Sequence, residues 1–368
     1  MRFLVFSDLH LDTPFRWAGR EVAAARRQAL RDTLSRICAL AETQAVDALL
    51  CAGDLYEHDR FTADTARFLR ESFGRLDPLP VLLAPGNHDW YGPESIYRQQ
   101  NWTPNVHVFR EGRLTPFELT DGLTLWGSAH CAPANTDGFF EDGFHVDRGG
   151  VNLALFHGSE HSGMAWEDHG KAPHAPFKAQ QIPDAGLHHA FCGHFHSPKD
   201  AEWHTYPGNP DPLSFGETGE RGAVVADVSA AGEVTRARHQ VSVSEVHDVA
   251  VDLTGITHAD AGRDRVAGAV AGLSGVVRAT MFGEVDPDVD LRQLDVTGLG
   301  GHLQALVPRW GAVTLGFDLE ELRDEPSVRG KFIRDVEADS DLSDELRRKV
   351  IATGLRALGG RHDELEVV

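Results

Sequence analysis

Five short segments of the chain carry side chains that can bind metal ions. Between residues 8 and 196, the segments SDLH, AGDLYE, PGNHDW, LFHGS and CGHFHS combine carboxylates, imidazoles and one amide with residues typical of turns. The candidate ligands are Asp8, His10, Asp54, Asn87, His157, His194 and His196. Oxygen and imidazole ligands of this kind suit manganese, iron or zinc, and they match poorly with a metal that prefers thiolates.

Phosphoester hydrolysis is the chemistry that such a ligand set favours. Two divalent ions about 3.5–4 Å apart share a bridging carboxylate and can clamp both the attacking and the leaving oxygen of phosphoryl transfer. Such ions also lower the pKa of water from about 15.7 towards 7. We therefore expect a site for two divalent ions, with Mn²⁺ expected first and iron, zinc or magnesium as alternatives.

Each segment also has an ordinary structural interpretation. An isolated Asp-x-His is usually a turn or a surface pair, and a lone Gly-Asp after a strand is more often a turn than a ligand. His-x-His can be a pair on an edge strand. Gly-Asn-His-Asp is the most specific of the five. Their joint occurrence, each at the end of a predicted strand, favours a metal site.

A sheet must bring these segments together. Apolar runs of strand length, most of them followed at once by polar or glycine-rich residues, predict the strands. They are 2–7, 46–52, 79–84, 123–127, 151–156, 189–192 and 223–228. Helical spacing of apolar residues predicts helices at 21–44 and 62–76, with Thr62 as the N-cap of the second. Because ligands bind at the carboxyl ends of strands in open α/β sheets, side chains distant in sequence can meet there.

The alternation of strands and helices predicts an α/β fold for a first domain over 1–235. A small α+β domain is expected over 245–322 and a C-terminal helical segment over 326–368. The expected strands of the second domain are 249–253, 276–282 and 313–317. The expected helices are 260–273, 300–310, 327–338 and 343–358.

The composition is that of a globular chain with an acidic balance. Of its 368 residues, 41% are hydrophobic and 25% charged, which excludes a disordered protein. The formal net charge of −21 argues against a broad basic face that grips DNA. A nucleic-acid substrate would instead be held by the metals, by a local patch or by a partner subunit.

The cellular setting is also suggested by the sequence. The four cysteines form no CxxC pair, which favours buried thiols in a reducing cytosol. The N-terminal apolar run is too short for a signal peptide, and no other run is long enough to span a bilayer. We expect a cytoplasmic protein with no membrane partner.

At the five metal segments the sequence resembles the calcineurin-like metallophosphoesterase superfamily, whose pattern is DxH, GD, GNH, H and GHxH. The resemblance covers about residues 1–228 and implies a layered core, a β-sandwich flanked by helices. It implies a first metal bound by Asp8, His10 and His196, a second bound by Asn87, His157 and His194, and Asp54 bridging both. His88 matches a family histidine that is not a ligand. It is expected to stabilise the phosphate in the transition state or to protonate the leaving oxygen, with Asp89 orienting it.

Further blocks are similar to the SbcD-like branch of DNA double-strand-break repair exonucleases. They are SDLHLD, GDLYEHDRFT and YPGNPDPLSFGETGERG, together with the order of core, α+β cap and C-terminal helical pair. This resemblance implies that the cap shapes the path of the DNA and that the C-terminal helices bind an SbcC-like SMC-type ATPase. It also implies a homodimer, for which helices 21–44 and 62–76 are the candidate surface.

One position departs from that branch, because Glu57 stands where several of these nucleases carry a second histidine, and His58 lies next to it. A DNA exonuclease or endonuclease subunit is the leading hypothesis. A small-molecule phosphodiesterase or phosphatase is the alternative: the acidity favours it, whereas the domains after the core count against it. A DNA-end-binding or scaffold subunit with structural metals is the third hypothesis, and His88 argues against it, since a structural site has no use for an acid.

Overall fold

The computed structural model describes residues 1–134, 136–140, 143–161, 173–287 and 289–359. The chain divides into two compact units, Met1–Glu245 and Val246–Val368. Residues 360–368 of the expected C-terminal segment lie outside the described residues. Among the residues described, no helix combines the length and the apolar character that crossing a membrane requires.

The first unit is a mixed α/β body with two six-stranded sheets. Its strands are β1 (Arg2–Phe6), β2 (Ala48–Cys51), β3 (Val81–Leu83), β4 (Val106–Val108), β5 (Thr115–Thr120), β6 (Leu123–Gly127), β7 (Val151–His157), β8 (His189–Gly193), β9 (Lys199–Asp200), β10 (His204–Tyr206), β11 (Gly222–Val228) and β12 (Val234–Gln240). Its helices are α1 (Arg20–Thr43), α2 (Ala63–Gly74), α3 (Ile96–Gln99) and α4 (Gln181–Asp184).

Parallel pairing dominates the part of each sheet that leads to the candidate ligands. The first sheet has the order β12-β11-β1-β2-β3-β4, and β1 to β4 run parallel. The second has the order β5-β6-β7-β8-β10-β9, and β6, β7, β8 and β10 run parallel. Parallel strands that are covered on both faces are mostly apolar, as the fully buried β7 is apart from Asn152 and the terminal His157.

The two sheets pack face to face, and β1 shows how the layers divide. Phe3 and Val5 point towards the second sheet and share a core with Leu153 of β7. Leu4 and Phe6 point the other way, into a core that α1 and α2 cover. This alternation follows from the two-residue period of a strand. The sheets therefore form a sandwich, with α1 and α2 covering the first sheet and the short α4 packed against the outer face of the second.

The predicted elements of this unit are confirmed, with ends within two residues of those observed. Thr62 caps α2 as expected, because its side chain accepts a hydrogen bond from the Thr65 amide. The sequence did not predict β4, β5, β9, β10 or β12. These strands lie at or near the sheet edges, where apolar patterning is weaker, as the half-exposed β5 and β12 show.

The second unit contains a three-stranded parallel sheet and a group of helices. Its elements are β13 (Val246–Asp252), α5 (Ala259–Val270), β14 (Val276–Val285), a short 3₁₀ helix (Leu291–Gln293), β15 (Ala305–Leu315), α6 (Leu319–Asp324), α7 (Val328–Glu337) and α8 (Asp344–Leu358). The last three helices pack together around Ile333, Ile351 and Leu355. Only α7 and α8 were predicted, so α6 adds a third helix to the expected pair.

The predicted helix 300–310 was wrong, because this stretch contributes to the edge strand β15. Pro308 lacks an amide hydrogen and disrupts a helix interior, yet an edge strand tolerates it. Val307 and Trp310 also favour a strand. The separate strand expected at 313–317 is the end of this same β15, which pairs in parallel with β14.

Candidate metal centre

The candidate ligands lie where strands of both sheets end. Asp8 and His10 follow β1, and Asp54 follows β2. Asn87 follows β3, and His157 is the last residue of β7. The remaining two, His194 and His196, follow β8. Parallel β-strands thus deliver seven side chains from five loops to one edge of the sandwich.

Four of these residues hold a backbone conformation that L-amino acids seldom adopt. The φ angles are 55° at Asp8, 50° at His10, 52° at Asp54 and 111° at His194. Each such residue costs about 1–3 kcal/mol and persists only where the surroundings hold it in place. Strain concentrated in this way is typical of a functional site.

Hydrogen bonds between the loops hold these residues in place. The Asp8 amide donates to the Gly53 carbonyl at 2.9 Å, and the His10 amide donates to the Asp54 carbonyl at 2.9 Å. The two carboxylates accept from further loops: Asp8 Oδ1 from the His194 amide at 3.0 Å, and Asp54 Oδ1 from the His88 amide at 2.8 Å. The segments therefore form one interlocked layer.

A first group of ligand atoms comes from Asp8, His10 and His196, which lie within 4.8 Å of one another. The His10 and His196 rings are 5.1 Å apart. His10 Nδ1 donates to the Glu57 carboxylate at 2.8 Å. Its Nε2 is buried and has no hydrogen-bond partner among the residues described. A buried, unpartnered imidazole nitrogen whose other nitrogen is fixed by a carboxylate is the arrangement of a metal ligand.

A second group comes from Asp8, Asp54 and His157. His157 Nε2 lies 3.2 Å from Asp54 Oδ2 and 3.1 Å from Asn87 Oδ1. His157 Nδ1 donates to the Ala52 carbonyl at 2.9 Å, which leaves Nε2 for this cluster. The His194 ring lies 5.3 Å from the His157 ring. All seven predicted ligands are therefore brought to one place.

Glycines at two of the segments make room for this packing. A Cβ on Gly53, whose φ is 92°, would lie 2.7 Å from His157 Nδ1 and 2.9 Å from the Ala84 carbonyl oxygen. A Cβ on Gly86 would collide with Asp54 Oδ1. Glycine stands just before Asp54 and just before Asn87 because the neighbouring backbone and ligand side chains leave no room for a Cβ at either position.

The pair formed by Asp54 and His157 dominates the local electrostatics. Burial raises the pKa of Asp54, but the nearby His157, His10 and His88 outweigh burial and hold this pKa well below its usual range. Burial lowers the pKa of His157, but the Asp54 charge outweighs burial and raises this pKa to about 9. A proton on His157 thus balances the Asp54 charge at the place where a divalent cation would do so.

His88 lies at the rim of the cluster. Its side chain is 47% exposed, and Nδ1 donates to Glu57 Oε2 at 3.1 Å. The hydrogen bond with Glu57 is the main cause that raises the pKa of His88 to about 9. A protonated imidazole beside seven buried or half-buried ligands can donate a proton to a group that approaches from solvent.

Asp89 is fully buried and does not reach His88 in the described structure. Its Oδ1 accepts from the Gly86 amide at 2.6 Å, and its Oδ2 accepts from the Leu55 amide at 2.7 Å and from the Tyr97 hydroxyl at 2.6 Å. Its interactions therefore join the Gly-Asp and Gly-Asn-His-Asp segments. The carboxylate that contacts His88 belongs to Glu57.

Two orienting carboxylates were missed by the sequence reasoning. In the sequence, Glu57 stands out only as a departure from related nucleases, and Glu217 only as part of the block GETGERG. Glu217 Oε1 accepts from His196 Nδ1 at 2.7 Å, while its Oε2 accepts from the Leu213 amide at 2.6 Å. Burial raises the pKa of Glu57 and of Glu217, but hydrogen bonds from histidines outweigh burial and lower each pKa to about 2.

Two further histidines border the cluster. His130 Nε2 contacts the His157 carbonyl oxygen at 2.7 Å. The His174 ring lies 5.6 Å from the His194 ring. Neither belongs to a recognisable motif, so only their position in the folded chain reveals them.

The donor set fits divalent metal ions. Two buried carboxylates, an amide oxygen and four imidazoles face one another, and the His10 Nε2 atom has no hydrogen-bond partner in the part of the chain that the structure describes. Oxygen and nitrogen donors of this mixture suit manganese, iron or zinc.

Comparison with known proteins agrees with this geometry. Residues 1–198 match the family model of the calcineurin-like phosphoesterases. The chain belongs to this family. Members of this family bind two divalent metal ions, and they hydrolyse phosphoesters.

The chain is also similar to individual proteins, at low sequence identity. The uncharacterized metallophosphoesterase YhaO of Bacillus subtilis (strain 168) is 25% identical over 279 residues, which are 69% of this chain and 64% of that protein. The chain thus spans less than two thirds of this relative's length. Among solved structures, TT1561 of Thermus thermophilus has a TM-score of 0.39 at 15% identity and covers 64% of this chain and 98% of its own. YfcE, a phosphoesterase from E. coli, has a TM-score of 0.29 at 12% identity and covers 65% and 99%, respectively.

Proposed function

We propose that this phosphoesterase is a two-metal phosphodiesterase that cleaves DNA, as the nuclease subunit of a DNA-repair complex with an SbcC-like ATPase. The observation that carries the hydrolytic part is the position of His88. This half-exposed imidazole stands at the rim of seven converging candidate ligands. A site of this kind offers an acid to a substrate that approaches from solvent, as phosphodiester cleavage requires.

In this proposal the metal ligands divide as the family resemblance implies. One ion would be held by Asp8, His10 and His196, the other by Asn87, His157 and His194, and Asp54 would contact both. When bound, the ions supply Lewis-acid polarisation of the phosphoryl group and lower the pKa of water. Mn²⁺ is the ion that we propose.

The chain's own residues supply orientation and a proton. Glu57 and Glu217 fix the Nδ1 atoms of His10 and His196, so that each ring presents Nε2. His88 is likewise held at Nδ1, and its Nε2–H donates a proton to the leaving oxygen of the phosphodiester.

The choice of DNA rests on the sequence blocks that resemble the SbcD-like branch and on the order of the domains. In this hypothesis the sheet domain of the second unit shapes the path of the DNA, and helices α6 to α8 bind the ATPase. A homodimer formed through α1 and α2 belongs to the same proposal.

The test compares substrates and one variant. Purified protein with Mn²⁺ is given linear single- and double-stranded DNA, a chromogenic phosphodiester, a phosphomonoester and a cyclic nucleotide. We expect cleavage of DNA, with turnover reduced about 10²–10⁴-fold in His88→Ala. His145→Ala, at an exposed histidine of the same unit, is the matched control. Undiminished hydrolysis by His88→Ala would contradict the mechanism.

A small-molecule phosphodiesterase or phosphatase is the second candidate, because the net charge of −21 disfavours a long polyanion. Activity confined to the phosphomonoester or the cyclic nucleotide would select this candidate and exclude the nuclease.

A further inference from the structure

We propose that Glu57 is a positioning residue that orients His10 for metal binding and His88 for proton transfer at the same time. This inference rests on the proposed hydrolysis, and it concerns the position at which the chain departs from the nucleases it resembles. It makes one carboxylate the link between the metal centre and the proton donor.

The contacts of the carboxylate are divided between the two rings. Glu57 Oε1 lies 2.8 Å from His10 Nδ1, and Oε2 lies 3.1 Å from His88 Nδ1. The His10 and His88 rings meet edge to face, with centroids 4.7 Å apart and planes at 81°. One side chain therefore fixes the mutual orientation of two rings from different loops.

The backbone around Glu57 is attached to both of these loops. The Glu57 amide donates to the Leu11 carbonyl at 2.9 Å, next to His10. The amide of the following residue, His58, donates to the His88 carbonyl at 3.0 Å. The Glu57 side chain is only 22% exposed. The backbone of Glu57 is therefore held in place, and its side chain has little room to move away from the two rings.

The chemistry of a carboxylate sets the tautomer of both rings. An ionised carboxylate only accepts hydrogen bonds, so both Nδ1 atoms must carry the hydrogen. His10 then presents the lone pair of Nε2 to the ligand cluster, where this atom is buried, lies 3.6 Å from Asp54 Oδ2 and has no hydrogen-bond partner among the described residues. Because Glu57 holds Nδ1 of His88, Nε2 is the ring nitrogen left for proton transfer. A glutamine has one accepting oxygen and one donating nitrogen, so it can satisfy only one of the two rings.

The experiment uses the full chain and measures Mn²⁺ binding by calorimetry beside turnover of a chromogenic phosphodiester at saturating Mn²⁺. The variants are Glu57→Gln, His88→Ala and the double variant. We expect Glu57→Gln to weaken Mn²⁺ binding about 10–100-fold and to lower turnover. His88→Ala should lower turnover and leave Mn²⁺ affinity unchanged. In the His88→Ala background, Glu57→Gln should still weaken Mn²⁺ binding and should lower turnover no further.

Glu217→Gln is the matched control, because Glu217 holds a ligand histidine, His196, and has no contact with His88 in the described structure. It should weaken Mn²⁺ binding as well. Its effect on turnover should be the same with and without His88, since the two act independently. Glu57→Asp is a second variant, which keeps the charge but is one methylene too short to reach both rings; it should fall between wild type and Glu57→Gln.

Several results would overturn the proposal. The first is an unchanged Mn²⁺ affinity in Glu57→Gln. The second is a double variant in which the losses of turnover from Glu57→Gln and His88→Ala multiply. The third is the loss of one bound ion per chain in Glu57→Gln, which would make Glu57 itself a ligand. If the wild type hydrolyses no phosphodiester, the proposed function fails, but Mn²⁺ affinity and the ring ¹⁵N shifts of His88 still test Glu57. We expect an Nδ1–H tautomer for neutral His88 that Glu57→Ala abolishes; an unchanged tautomer would refute the His88 half of the inference.

Discussion

At the scale of single residues, the site is governed by buried charge. A carboxylate away from water is costly unless cations or hydrogen-bond donors face it. Asp54 is buried, faces His157 and His10, and accepts from the His88 amide. In the absence of metal this arrangement relies on protonated histidine, and a divalent ion competes with those protons.

Asp54→Asn should therefore disable the metal centre. The change removes the negative charge that lies 3.2 Å from His157 Nε2 in one group and 3.6 Å from His10 Nε2 in the other, so we expect the loss of at least one bound ion and of turnover. In thermal unfolding, Mn²⁺ at 100 times its Kd should stabilise the wild type by about 2.7 kcal/mol, and Asp54→Asn should lose most of this effect. Asp59→Asn, at an exposed acid of the same loop, is the control. Equal stabilisation of Asp54→Asn and wild type would place the metals elsewhere.

The metal ligands could be predicted from the sequence, whereas the carboxylates that orient the histidine rings could not. Asp8, Asn87 and His157 stand in segments whose residue types and order indicate metal binding. The roles of Glu57 and Glu217 depend on how far each side chain reaches from one loop to another, and no local pattern encodes this distance. The same holds for Asp89, which was expected to orient His88 and instead accepts from backbone amides and the Tyr97 hydroxyl.

His189 should make the stability depend on pH. Burial lowers the pKa of this histidine to about 3, so the folded state keeps it neutral while the unfolded state takes up a proton below about pH 6.5. Folding stability is therefore lost as the pH falls from 6.5 towards 3, by about 2 kcal/mol at pH 5. His189→Gln should show a correspondingly smaller difference between urea midpoints at pH 7.5 and pH 5. An unchanged difference would contradict this account, and His145→Gln is the control.

At the scale of elements, the length and the period of apolar patterns decided what could be predicted. The long helix α1 and the fully buried β7 have patterns that fit one interpretation. The stretch that forms β15 does not, because its apolar residues suit a helix and a strand almost equally. Its pairing with β14 decides the outcome, and sequence periodicity alone does not contain this tertiary interaction.

The first turn of α2 contributes to the stability of the fold and also contacts the loop that carries Asp8 and His10. Thr62 caps the helix, and Thr65 in the first turn donates to Asp12 at 2.6 Å, just after the Asp-x-His segment. Thr62→Ala should lower the free energy of unfolding by about 1 kcal/mol. Urea unfolding measures this loss, and Thr62→Ser, which keeps the hydroxyl, should recover most of it. Equal losses for the two variants would assign the effect to something other than capping.

At the scale of the whole molecule, the three C-terminal helices offer a way to separate hydrolysis from partner binding. Phe317, Leu319 and Leu322 pack against the cluster that joins α7 and α8. A truncation at residue 326 would therefore leave the apolar side of α6 exposed, and removal of residues 317–368 is the better design. We expect this truncation to retain hydrolysis of a chromogenic phosphodiester and to abolish binding to the ATPase partner in pull-down or sedimentation experiments. Retained binding would place the partner's site elsewhere.

The left-handed backbone of Asp8, His10, Asp54 and His194 has a consequence for how this sequence can change over time. Glycine would relieve the strain at each position, so a lineage selected only for a durable fold would drift towards glycine there. Such descendants should resist heat better than the present chain and bind no metal. The presence of aspartate and histidine in these conformations is therefore explained by what the side chains do and not by the stability of the fold.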